Sequence, residues 1–113
     1  VSGEGPHPAA VPDMDPFFEV LSDRTCREIV YYFECVADDD TETVAGLTAY
    51  LARRRQVAEP SSIRLGLVHK HVPRLAECRL VEYDERTETI VYHGHDDARY
   101  LLTKALELFG YPG

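Results

Sequence analysis

The sequence predicts a mainly α-helical domain that carries one β-hairpin towards its C-terminal end. Three observations lead there. Four stretches repeat apolar residues at spacings of three and four, which gathers them on one side of a helix. One stretch alternates apolar and polar side chains about a polar turn, as a half-buried hairpin does. The 113 residues, 44% of them apolar, are enough for one core and too few for two.

The elements follow in order. Val1 to Pro12 holds three prolines and two glycines with almost no large apolar side chain, so residues 1–14 are expected to form a disordered leader. From Asp15 the pattern becomes helical. Phe17, Phe18 and Leu21 make a short apolar turn, and Ser22 is placed to cap a first helix whose inward residues are Cys26, Ile29, Val30 and Phe33. That helix should end near Cys35. The run Asp38, Asp39, Asp40 interrupts the pattern and would suit the positive end of a second helix, with Val44, Leu47 and Leu51 inward.

The second helix closes on Arg53, Arg54 and Arg55, and Glu59-Pro60-Ser61-Ser62 supplies a break and a new cap. A third helix, from about Ser62 to Cys78, turns Ile63, Leu67, Val68, Val72 and Leu75 inward and Gly66, His69, Lys70, Pro73 and Arg74 outward. Pro73 has no N–H and crowds the carbonyl of His69, so a kink is expected there. Leu80–Asp84 and Glu88–His93 read as two strands joined at Glu85, Arg86 and Thr87. A fourth helix, Asp96 to Leu108, has Ala98, Leu101, Leu102, Ala105 and Leu108 on one side, with Gly110 and Pro112 as stop signals.

Charge is distributed unevenly along this framework. The whole chain carries −8, yet residues 53–76 hold six bases and one acid, a net of +5, leaving −13 elsewhere. Ten of the twelve bases are arginine, and acids occupy nearly every other segment. This composition reads as a halophile's surface, because a dense carboxylate coat stays hydrated where salt screens charge within about 3 Å at 1 M. Affinity for DNA comes from cations that displace counterions from phosphate, so the basic segment is the candidate contact surface.

Other classes find little support. No apolar run approaches the roughly 20 residues of a membrane span and no signal pattern opens the chain, so a soluble, cytoplasmic protein without membrane contact is expected. Cys26, Cys35 and Cys78 are odd in number and form no CxxC pair, which argues against both a disulfide framework and a zinc knuckle. His69 with His71 and His93 with His95 stand two apart, a spacing that does not put two imidazoles on one helical face. No cofactor and no metal are called for. The seven tyrosines are scattered, unlike an RNA-stacking platform. Neither a phosphate-binding glycine loop nor a nucleophile elbow is present, so an enzyme is not expected.

Three helices, a hairpin and a last helix form the order of a winged helix-turn-helix, whose third helix enters the major groove. The segment His71-Val72-Pro73-Arg74-Leu75-Ala76-Glu77-Cys78-Arg79-Leu80-Val81 resembles the ArsR-like signature H-L-x-x-L-x-x-A-G-L-V. Arg79 stands where the signature has glycine, a tight left-handed turn that arginine occupies only at some cost. Leu21-Ser22-Asp23-Arg24-Thr25-Cys26-Arg27 resembles the L-x-D-x-T-R-x opening of helix one in the same family. With His69-Lys70-His71-Val72-Pro73-Arg74-Leu75, the chain looks most similar to haloarchaeal winged-helix domains bearing H-x-H-[VL]-P-[RK]-L.

The resemblance implies a homodimer formed through terminal helices, and the apolar side of the fourth helix agrees with it. Residues 15–95 would be the winged helix-turn-helix domain and 96–113 the C-terminal dimerisation helix and tail. The expected function is sequence-specific binding of double-stranded DNA in transcription regulation. Contacts are assigned to Arg64, His69, Lys70 and Arg74, flanked by Arg53, Arg54 and Arg55. The dimer interface is assigned to Phe17, Phe18, Leu101, Leu102, Ala105 and Leu108. No effector can be named. The competing reading is a winged-helix protein-interaction module, whose acidic hairpin (Asp84, Glu85, Glu88) would suit a basic partner.

Overall fold

The computed structural model describes residues 11–110, with side chains from Pro16 onward. Helix α1 (Val11–Ser22) is followed after one residue by α2 (Arg24–Tyr31), which runs on as a π turn, Tyr32–Val36. Strand β1 (Thr41–Thr43) leads into α3 (Val44–Arg55). A composite helix then comprises α4 (Ser61–Gly66), a π turn (Leu67–His71) and α5 (Val72–Glu77). Strands β2 (Val81–Asp84) and β3 (Thr89–Tyr92) precede the last helix, α6 (Asp96–Phe109). The domain is mainly helical with a small antiparallel sheet, compatible with a helix-rich winged-helix-like fold.

Several boundaries differ from the sequence expectation, each for a local reason. The leader assigned to residues 1–14 gives way to helix already at Val11, while its first ten residues lie outside the described part. Asp23, not Ser22, caps α2: its carboxylate accepts the Cys26 N–H at 2.9 Å. Ser22 instead returns its hydroxyl to the Phe18 carbonyl and helps to close α1. The acidic run 38–40 does not sit at a helix terminus. Asp39 accepts the N–H of Thr41 and turns the chain into β1, and Thr43 caps α3 by accepting from Gly46.

The hairpin was expected to stand alone, but β1 adds a third strand. The sheet order is β1-β3-β2, with Thr41 opposite Val91 on one side of β3 and Val81 opposite Tyr92 on the other. Three residues of Thr-Glu-Thr are too short to show an alternating pattern, so only the pairing reveals them. Arg79 has φ 67°, the left-handed conformation that a glycine would take without cost.

Pro73 stands in the first turn of α5. Upstream of it the helix widens, and the Val72 N–H donates to the Leu67 carbonyl five residues back. The extra residue in this turn advances the following side chains by about 100° around the axis. Ile29, Leu47, Leu51, Leu67, Leu75 and Ile90 meet as a fully buried centre. α6 packs along α1, so Phe17, Leu101, Leu102 and Ala105 are largely buried within the single chain. Pro112, one of the expected stop signals, lies outside the described residues.

Candidate nucleic-acid interface

The composite helix presents one exposed side made of Arg64, Leu65, His69, Lys70, Pro73 and Arg74. Sequence periodicity picks all of these but Leu65, because Ile63, Leu67, Val72 and Leu75 form an inward apolar repeat. Leu65 is 57% exposed beside Arg64.

The expected contact residues do not share one fate. His69 and Lys70 are exposed on the π turn. Arg64 forms an ion pair with Glu88 at the base of the β2–β3 turn, which ties the helix to the hairpin and raises the guanidinium's already high pKa. Arg74 lines a cleft with Pro16, Glu19 and Glu77 and so has carboxylates around it. Of the three consecutive arginines, only Arg53 is exposed. Arg54 lies over the Tyr50 ring at 5.5 Å with two guanidinium nitrogens buried. Arg55 is bonded to Glu28 and to the Thr25 hydroxyl at 2.8 Å. Arg54 and Arg55 are therefore corrected from surface contacts to packing residues. The chain turns through 100° per residue at a helix end, so three neighbours cannot all face one groove.

Three residues that sequence reasoning kept apart converge behind this helix. His71, four residues after the buried Leu67, places Nδ1 3.2 Å from Asp23 Oδ2 and 3.7 Å from Cys26 Sγ. Asp23 and Cys26 stand three apart at the start of α2 and would have suggested a shared face, but His71 is 45 residues from Cys26 and only the packing of the two helices joins them. Burial pushes the Cys26 thiol up to about 12 and pushes His71 down. Burial also raises Asp23, yet the Cys26 N–H and the imidazole outweigh it and hold the carboxyl below its usual value.

The other histidines are accounted for separately. His93 pairs with Glu82 across β2 and β3 at 2.7 Å, and His95 caps α6 by accepting from Asp97. The expected dimer residues Phe18 and Leu108 are exposed, at 51% and 80%, with Phe109 beside them. Together with Leu101, Lys104 and Ala105 they line an apolar groove between α1 and α6.

A family model described as a domain of unknown function, DUF7344, matches residues 18–91. The chain belongs to the DUF7344 family. The DUF7344 span takes in the composite helix, β1, β2, all but the last residue of β3 and the Asp23–Cys26–His71 cluster, and it stops before α6. No curated protein and no solved structure matches the chain. No helix among the described residues is long and apolar enough to cross a membrane.

Proposed function

We propose that this protein is a DNA-binding transcription regulator of the winged helix-turn-helix type, acting as a homodimer. The composite helix 61–77 reads the major groove and the β2–β3 hairpin is the wing. The observation that carries this reading is the local excess of positive charge in an acidic chain, with His69, Lys70 and Arg74 exposed along that helix. The correction at Arg54 and Arg55 narrows the surface to Arg53, Arg64, His69, Lys70 and Arg74. Leu65 fits the same reading, since an exposed aliphatic group in the major groove can pack on a thymine methyl.

The wing is acidic at Asp84, Glu85 and Glu88, and Arg64 neutralises one of these charges. It therefore contributes shape and support for the helix while the helix makes the phosphate contacts. A second copy is expected to pack on the groove between α1 and α6, where Phe18, Leu108 and Phe109 leave apolar surface exposed.

The test is retention of fragmented source genomic DNA, including the segment upstream of its own gene, at a series of salt concentrations. Selective retention is expected. Lys70→Ala/Arg74→Ala should weaken it sharply and lower the log–log salt slope by about 3.6, at roughly 0.9 for each of the four phosphates that the dimer no longer neutralises. Absence of selective retention by the unaltered protein would refute the DNA reading and favour a protein partner for the acidic hairpin.

A further inference from the structure

We propose that Asp23, Cys26 and His71 form a binding site for a divalent transition-metal ion of the zinc class, clamping the start of α2 to the composite helix. The three donors are the types that such ions take, carboxylate oxygen, thiolate sulfur and imidazole nitrogen. They come from two separate segments, and one donor atom from each lies within 4.8 Å of the other two.

The two separations to His71 fit tetrahedral coordination. Bonds of about 2.3 Å to sulfur and 2.0 Å to nitrogen or oxygen, at the tetrahedral angle, require roughly 3.5 Å between sulfur and nitrogen and 3.3 Å between nitrogen and oxygen. The structure has 3.7 Å for Cys26 Sγ to His71 Nδ1 and 3.2 Å for Asp23 Oδ2 to His71 Nδ1. The Cys26 N–H already holds the Asp23 carboxylate at 2.9 Å, so one ligand is oriented before any ion arrives.

Access and stoichiometry are consistent with this assignment. Cys26 is fully buried, whereas the Asp23 and His71 side chains are 23% and 13% exposed, so the ion enters from their side. Three protein donors leave a fourth position for water or an exogenous ligand. Binding forms the metal–sulfur bond as the thiol S–H breaks, and the proton leaves to solvent. A soft thiolate in the set excludes magnesium and calcium as the natural occupants.

The probe is cobalt(II), added to protein previously stripped with a chelator, with zinc as competitor. One equivalent should produce a thiolate-to-cobalt charge-transfer band and the visible bands of tetrahedral cobalt, both removed by zinc. Cys35→Ser/Cys78→Ser should keep these bands. His71→Gln and Asp23→Asn, which retain hydrogen-bonding capacity and the native thiol, should each weaken cobalt binding at least tenfold. Thermal unfolding read in parallel should show zinc raising the midpoint of the unaltered protein but not of His71→Gln. The proposal is overturned if the unaltered protein gives no charge-transfer band, if the band survives unchanged in His71→Gln, or if it disappears in Cys35→Ser/Cys78→Ser. None of these readouts involves DNA, so they stand apart from the regulator reading.

Discussion

Replacing Arg55 by alanine separates the two roles open to the arginine run 53–55. In the structure Arg55 is the principal partner of Glu28, whose side chain is 5% exposed, and Arg55 itself is 20% exposed. Arg24 lies 3.8 Å from the same carboxylate but is 70% exposed, so it cannot replace the missing charge. Removing one partner of a buried pair costs about 3–5 kcal/mol, because the other is left in a poorly solvated place. The partial exposure of Arg55 puts the expected loss near about 3 kcal/mol. With an unfolding entropy of roughly 0.2 kcal/mol/K for a domain of this size, the midpoint should fall by about 12–15 °C. Arg53→Ala, at an exposed site, should stay within about 0.5 kcal/mol of the parent. Urea unfolding followed by circular dichroism, with equal slopes in all variants, measures both. Raising the salt should not narrow the gap, since a buried pair is screened far less than an exposed one. If Arg55→Ala proves as harmless as Arg53→Ala, Arg55 is a surface residue and its assignment to packing is wrong.

Three further outcomes are expected. Arg79→Gly should raise stability by about 1 kcal/mol in the same urea assay, because φ 67° costs an arginine what it does not cost a glycine. Tyr92→Phe should lose about 1–2 kcal/mol, since the hydroxyl donates at 2.6 Å to Glu34, which also holds Arg99 of α6 and would keep a buried oxygen without its partner. Phe18→Asp/Leu108→Asp should convert a dimer to a monomer by sedimentation without lowering the unfolding midpoint of the monomer, because both side chains are exposed within one chain. A dimer unchanged by this pair would move the subunit interface away from the α1–α6 groove.

Residue order alone specifies a mainly helical chain with a hairpin, and the centre of the core. Ile29, Leu47, Leu51, Leu67 and Leu75 are buried where their spacing of three and four puts them, and Ile90 where strand alternation does. It also specifies that positive charge gathers on one segment, since charge is a property of composition. Packing selects which of those charges remain exposed. Arg55 and Arg53 are chemically identical but point about 200° apart around the helix, and only Arg55 meets Glu28 and Thr25 of α2. The same holds for the apolar side of α6, where packing within the chain buries Leu101, Leu102 and Ala105 and leaves Leu108 exposed. Strand β1 has no pattern of its own and exists because β3 offers an edge at Thr89–Val91. The cluster of Asp23, Cys26 and His71 depends on α2 packing against the composite helix, which joins residues 45 apart in the chain. Periodicity is written in neighbouring residues and can be read from them, whereas contacts between segments 27 to 45 residues apart come into being only when the chain has packed.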